Sequence, residues 1–265
     1  MFGAALEGPK CIAALGELGV LGVNRAFLTT LAAAIAMTML TFFKIPASTS
    51  QAIVGAIIGA TLISSQPNWD QFFKMAICWV LTPIGGAFFG FVFYKLADLI
   101  VRNFFASSRR FEMFLRFTLV IAGSYGAYAL GANNLANTTA LYVHSGMLKP
   151  FTAAVIGGVA IAVGTITYSK RVMHTVGARI TLIGPVGAVV ATLAHSITIH
   201  IFTQVGVPVS SSQAIVGAVI GIGLVRGIKV VNYKVLLQIF IGWIMTPIAA
   251  GILAFVFIHI MMLVM

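Results

Sequence analysis

The side chains best suited to hold an ion form two hydroxyl runs, each ending in an amide: Ser48, Thr49, Ser50 and Gln51, then Ser210, Ser211, Ser212 and Gln213. Pro46 and Pro208 stand just ahead of them, and a Gly-spaced apolar stretch follows each run. Ser and Thr before a helix cap its first turn. A helix starting there also offers free N–H groups and the positive end of its dipole to an anion. Two such ends facing one another cradle an oxyanion without a buried Lys or Arg. A single copy is explained as well by plain capping, or by hydroxyls bonding back to their own carbonyls. Duplication at equivalent positions points instead to binding, because symmetry-related broken helices are how many carriers build their sites.

A second constellation is GANNLANTTALYVHSG at 131–146, where Asn133, Asn134 and Asn137 sit beside Thr138 and Thr139. Amides in an apolar stretch are costly unless bonded. Asn134 and Asn137 lie three apart, share a helix face and read as a Na+ region, with Gly131 expected to break the helix and free carbonyls for the cation. The competing reading is close helix packing with Asn as interhelical glue. His195 and His200 are five apart, about 140° around a helix, so they do not form a shared metal face. His144 and His174 fall near expected helix ends, and Cys11 and Cys78 show neither metal nor redox spacing.

The elements that must position these groups are membrane helices. Of 265 residues, 60% are hydrophobic and 8% charged, with a mean hydropathy of +1.07. The uncharged stretches 26–43, 45–69, 75–94, 117–148, 150–169, 180–225 and 235–265 can each cross a ~30 Å hydrocarbon core, and 180–225 can do so twice. The fold expected is therefore all-α, a polytopic membrane protein with about eight membrane segments and broken or re-entrant helices at the hydroxyl runs. The net charge of +11 sits mainly in short connections, which is topology by the positive-inside rule and not a nucleic-acid face. No nucleophile with a base, and no metal cluster, suggests an enzyme. Glu7, Pro9, Lys10 and Glu17 interrupt the N-terminus before a signal-peptide core develops.

Self-comparison exposes a repeat: IPASTSQAIVGAIIG at 45–59 returns as VPVSSSQAIVGAVIG at 207–221, an offset of 162 residues. Further on, Trp79, Thr82, Pro83 and Phe91 recur as Trp243, Thr246, Pro247 and Phe255. With Lys95, Arg102, Arg109, Arg110 and Arg116 taken as cytoplasmic, alternation places only Lys10, Arg25, Lys74 and Lys149 of the 16 Lys and Arg outside. Equivalent segments then run in opposite directions, so the repeats have inverted topology, the architecture of many secondary transporters. The expected division is a shortened first repeat at 1–96, a basic cytoplasmic connection at 97–114 and a complete second repeat at 115–265.

GANNLAN followed by VPVSSSQAIVGAVIG resembles the inorganic phosphate transporter (PiT) family, whose repeats each carry a GANDVAN-type and a PVSTTH- or PVSTSQ-type motif. The resemblance covers the whole chain. It implies uptake of inorganic phosphate coupled to Na+ or H+ by alternating access, with no other cofactor, in a multi-pass protein of the plasma membrane that forms a homodimer. Asn133, Asn134 and Asn137 match the Asn-rich motif, and Ser48 to Gln51 with Ser210 to Gln213 match the hydroxyl motifs. Asn134 stands where the family usually has Asp, which removes a formal negative charge. The alternatives are a carrier for sulfate or another oxyanion, and a non-transporting membrane subunit.

The repeat offset puts the counterpart of 131–137 roughly thirty residues before Met1, so the sequence reads as truncated or as a fragment. Alternating access needs both halves. Little cation-driven phosphate uptake is accordingly expected in proteoliposomes holding the purified 265-residue chain with its mass confirmed; robust uptake would overturn the truncation argument.

Overall fold

The computed structural model describes residues 1–42, 47–63, 66–104, 108–180, 184–227 and 233–264. These form ten helices: α1 (Phe2–Leu6), α2 (Pro9–Gly16), α3 (Val23–Phe42), α4 (Thr49–Thr61), α5 (Trp69–Phe104), α6 (Ser108–His144), α7 (Pro150–Ile180), α8 (Gly184–Gln204), α9 (Ser211–Arg226) and α10 (Tyr233–Val264). Pro46 and the side chain of His174 lie outside the described residues. Most of the expected basic connection is helical, since α5 continues to Phe104 and α6 starts at Ser108.

Six helices (α3, α5, α6, α7, α8 and α10) contain a stretch long and apolar enough to cross a membrane. The other two apolar segments, α4 and α9, have only 13 and 16 residues. At 1.5 Å per residue they reach about 20 and 24 Å, short of the ~30 Å core. Of the eight membrane segments expected, two are thus half-length helices. Each is the return arm of a hairpin. Thr61 at the end of α4 lies against Gly19, just ahead of α3, and Asn68 N–H bonds Leu18 C=O at 3.0 Å. Antiparallel to α9, α8 packs Val190, Ala191 and Ala194 on Ala218, Val219 and Ile222.

Local chemistry explains the second hairpin tip. Gly206 takes φ +79°, Val207 N–H bonds Phe202 C=O at 3.0 Å and Gly206 N–H bonds Thr203 C=O at 3.0 Å, closing α8 in a glycine C-cap. Pro208 follows and cannot continue the helix. Ser210, extended at φ −84° and ψ 115°, then accepts Gln213 N–H and starts α9. Ser48, at φ −123° and ψ 118°, does the same for Gln51 and α4.

The two halves exchange contacts reciprocally. Gly55 and Gly59 of α4 press on the backbone of Pro247 and Gly251 in α10, while their equivalents Gly217 and Gly221 of α9 press on Pro83 and Ala87 in α5. Each half-helix therefore packs on the proline-bearing helix of the other copy. Glycine is required because a Cβ would overlap backbone that cannot move aside, and small residues are what let membrane helices approach so closely.

The expected break at Gly131 does not occur, because α6 is continuous from Ser108 to His144. Gly131 instead lets α1 approach: a Cβ there would come within 3.3 Å of Ala4 N. Its role is packing, so no carbonyl is freed for a cation at that point.

These contacts predict an uneven response to added methyl groups. Gly221→Ala forces α5 and α9 apart and should cost about 1–3 kcal/mol, as overpacking does. Gly123→Ala, with nothing within 4 Å, should be neutral or stabilise by up to about 1 kcal/mol through helix propensity. Thermal unfolding of both variants in one detergent checks the contrast, and equal midpoints would refute it.

Candidate functional site

The tips of the α3–α4 and α8–α9 hairpins meet beside the middle of α6. Ser50 donates its hydroxyl proton to Val209 C=O at 3.0 Å, joining one tip directly to the other. Both half-helices begin here, so two sets of first-turn N–H groups and two positive dipole ends converge on one region. The expectation that the duplicated hydroxyl runs come together thus matches the geometry.

The amides of α6 lace the tips together. Asn137 Nδ2, with two hydrogens to donate, lies within reach of three acceptors, Ser50 Oγ at 3.0 Å, Asn134 Oδ1 at 3.1 Å and Thr49 Oγ1 at 3.4 Å; Asn134 Nδ2 donates to Ser211 Oγ at 3.4 Å. The direction of these bonds is fixed by Ser50. Its proton is committed to Val209, so its oxygen must accept from Asn137, which leaves Asn137 Oδ1 buried with no donor. Gln51 Oε1 and Gln213 Oε1, at equivalent positions in the two tips, are also buried without a partner. Three orphaned carbonyl oxygens thus belong to the tips and the α6 amide cluster. A buried acceptor without a donor costs about 1–3 kcal/mol, a cost that a bound cation or a ligand hydroxyl would remove.

Exposure separates the roles. Thr49 is exposed and Asn134, Ser211 and Ser212 are half-buried, whereas Ser48, Ser50, Gln51, Asn133, Asn137, Ser210 and Gln213 are buried. Ser48 and Ser210 are caps, bonded to Gln51 N–H at 3.4 Å and Gln213 N–H at 3.3 Å, and Ser210 Oγ also pairs with Ser212 Oγ at 2.9 Å. The groups open to a ligand are therefore Thr49, Asn134, Ser211 and Ser212, with the buried set fixing their positions.

Asn133 bonds the α8–α9 tip. Its Nδ2 donates to Thr203 Oγ1 at 3.0 Å and to Val207 C=O at 3.4 Å, and its Oδ1 accepts Val209 N–H at 3.0 Å. It staples the extended 207–209 segment to α6, a task for which Thr203 is the partner that sequence reasoning did not find. Thr203 carries no motif, and only the C-cap glycine three residues later hints at it. A network of Glu7, His200 and Tyr125, also unforeseen, lies on the far side of Thr203.

Removing the staple should loosen the tip before it touches the ligand groups. Asn133→Leu strands the Val209 N–H, a loss of about 1–3 kcal/mol. Amide exchange at 207–210 should accelerate roughly 5- to 150-fold by that energy, while α4 amides stay protected. Unchanged exchange at Val209 would show that the staple is not needed.

Sequence and fold comparisons agree on what these elements resemble. A family model described as "Phosphate transporter family" matches residues 19–254. The "Putative phosphate permease MJ0630" of Methanocaldococcus jannaschii is 32% identical over 223 residues, covering 84% of this chain and 71% of that protein. A sulfate permease of Bacillus subtilis, CysP, is 26% identical over 217 residues, covering 82% of this chain and 61% of its own length. A solved structure described as "The sodium-dependent phosphate transporter" shares the fold with a TM-score of 0.83 at 21% identity, over 100% of this chain and 88% of that one. The chain is an integral, multi-pass membrane protein that belongs to the phosphate transporter family, carriers and not enzymes.

Proposed function

We propose that the chain binds inorganic phosphate where the two hairpin tips meet, as the binding site of a carrier that moves it across the plasma membrane together with Na+, by alternating access, as part of a homodimer. The observation that carries this reading is the convergence of two Ser-capped half-helix N-termini on Thr49, Asn134, Ser211 and Ser212. Hydroxyls and backbone N–H groups donate to phosphate oxygens. The division into a first copy at 1–96 and a second copy at 115–265, joined by 97–114, belongs to the same reading, as do Ser48 to Gln51, Ser210 to Gln213 and the three asparagines as site residues.

Phosphate brings a charge of about −1.5 to −2 at neutral pH, so entry against a negative interior potential calls for compensating cations. Asn137 Oδ1, Gln51 Oε1 and Gln213 Oε1 are neutral oxygens without donors, which suits Na+ better than a proton relay. Asn134 and Asn137 are the α6 residues assigned to that cation. The sodium dependence in the description of the structural neighbour supports the same choice.

Sulfate is the second reading, favoured by the likeness to a sulfate permease. An orphaned acceptor that the cation does not take would favour phosphate. Monohydrogen phosphate has a P–OH that can donate to such an oxygen, whereas sulfate has no proton to give, and sites that bond a ligand hydroxyl discriminate strongly against analogues lacking it.

Binding of radiolabelled phosphate to the purified chain in detergent tests the assignment. Binding should need Na+, be displaced by arsenate and not by sulfate, and weaken about 10- to 150-fold for each charge-assisted bond lost on replacing Ser211 or Ser212 by Ala. Unaltered affinity in a folded Ser211→Ala, Ser212→Ala double variant would sink the site, and equal displacement by sulfate would favour the second reading.

A further inference from the structure

Glu7, Lys10, Tyr125, His200 and Gln204 form a cluster of titratable and polar groups that the phosphate site does not use. Glu7 ends α1, Lys10 opens α2, Tyr125 is on α6, and His200 and Gln204 are on the last turns of α8. His200 Nε2 lies 2.8 Å from Glu7 Oε2, and His200 Nδ1 lies 2.7 Å from the Tyr125 hydroxyl. Lys10 Nζ reaches Glu7 Oε1 at 3.2 Å and Gln204 Oε1 at 2.6 Å, while Gln204 Nε2 donates to Glu7 Oε2 at 3.1 Å. Ionisable groups packed among membrane helices are expensive and mark proton or ion pathways.

The bonding pattern fixes where a proton would go. Against a carboxylate, Nε2 of neutral His200 must carry its hydrogen, so Nδ1 is left as an acceptor for the Tyr125 O–H. A proton added at Nδ1 makes an imidazolium that donates to the phenol oxygen. Tyr125 keeps its own proton and turns it away, so the ring gains a charge while both contacts survive. Glu7 Oε2 stays in contact with the charged ring while Glu7 Oε1 holds Lys10, and the rings of Tyr125 and Tyr128 meet the imidazole edge-on at 5.6 and 5.7 Å. A quarter of the His200 side chain (25%) remains exposed, which gives protons access.

The cluster is wired to the hairpin tip. Thr203, one turn beyond His200 on α8, holds Asn133, which in turn holds Val209 N–H beside Ser210. The groups facing His200 are Glu7 and Lys10 from α1 and α2, Tyr125 and Tyr128 from α6, and Gln204 from α8 itself; Cys11 of α2 faces Thr203. With Glu7 and Lys10 offsetting one another, protonation of His200 changes the local charge from neutral to positive.

We propose that His200, held between Glu7 and Tyr125, is a proton-binding site that sets the charge around the α8–α9 tip and thereby tunes anion binding at Ser211 and Ser212. A proton here strengthens anion binding and, by linkage, a bound anion strengthens proton binding. The second half of this inference rests on the phosphate reading above, and the first half does not.

The test follows the His200 ring resonances of histidine-labelled full-length chain in detergent from pH 5 to 9, assigned by their loss in His200→Gln. A one-proton titration curve is expected, displaced to lower pH in Glu7→Gln, and displaced to higher pH in the parent by saturating inorganic phosphate. If Glu7→Gln does not fold, Tyr125→Phe replaces it, since removing the phenol acceptor should displace the curve in the same direction. A flat curve, or curves that superpose in parent and variant, overturns the proton site. A curve that bound phosphate leaves in place overturns its coupling to the anion. Failure to bind phosphate at any pH refutes the proposed function, and the comparison with Glu7→Gln still decides the proton site.

Discussion

A helix interrupted inside hydrocarbon strands backbone donors and acceptors that no water can satisfy, and the tips must therefore satisfy one another. Ser50 donates to Val209 C=O, Asn133 accepts Val209 N–H, and Ser48 and Ser210 cap the first turns of α4 and α9. Once these bonds are made, few positions remain for the rest of the chain. The half-helices must lie against α5 and α10, and α6 must present its amides between the tips. Among the described residues, the buried side-chain acceptors left unbonded, Gln51 Oε1, Asn137 Oδ1 and Gln213 Oε1, belong to the tips and to α6 beside them.

Reciprocity follows from the same constraint. Gly55 and Gly59 meet α10 as Gly217 and Gly221 meet α5, so each copy supplies the half-helix and the other supplies its support. Neither hairpin tip is complete without the opposite copy. Symmetric packing around an asymmetric bond set also gives like groups at equivalent positions unlike partners: Ser50 bonds the opposite tip, while Ser212 bonds Ser210 in its own. The α6 amides lie on the side of Thr49 and Ser50 for Asn137 and on the side of Ser211 for Asn134, so a single helix bridges both tips.

Charge is kept at the margin of this arrangement. The lacing groups, Asn134, Asn137 and the hydroxyls, are neutral, which limits the desolvation cost of a site at membrane depth. The cluster at Glu7, Lys10 and His200 stands one helical turn from Thr203, near enough for its field to act through low-dielectric surroundings and outside the hydrogen bonds that shape the tips.

Composition and pattern by themselves determined the all-helical, polytopic class, the duplicated hydroxyl runs and the family, because hydropathy, capping residues and repeats are local properties written residue by residue. They also pointed to the asparagines at 133, 134 and 137 as a cluster. Tertiary structure decided what each does. Asn133, Asn134 and Asn137 are alike in sequence, yet one turn of rise along α6 sets Asn133 against Thr203 and Val209 and Asn137 against Ser50, although the two lie only about 40° apart around the helix. Gly131 looked like a helix break and proved to be a packing contact for Ala4, because only the neighbour across the interface reveals why a glycine lacks its Cβ. The pairing of Glu7 with His200, 193 residues apart, was likewise invisible, since the sequence contains the two residues and not the fold that brings them within 2.8 Å.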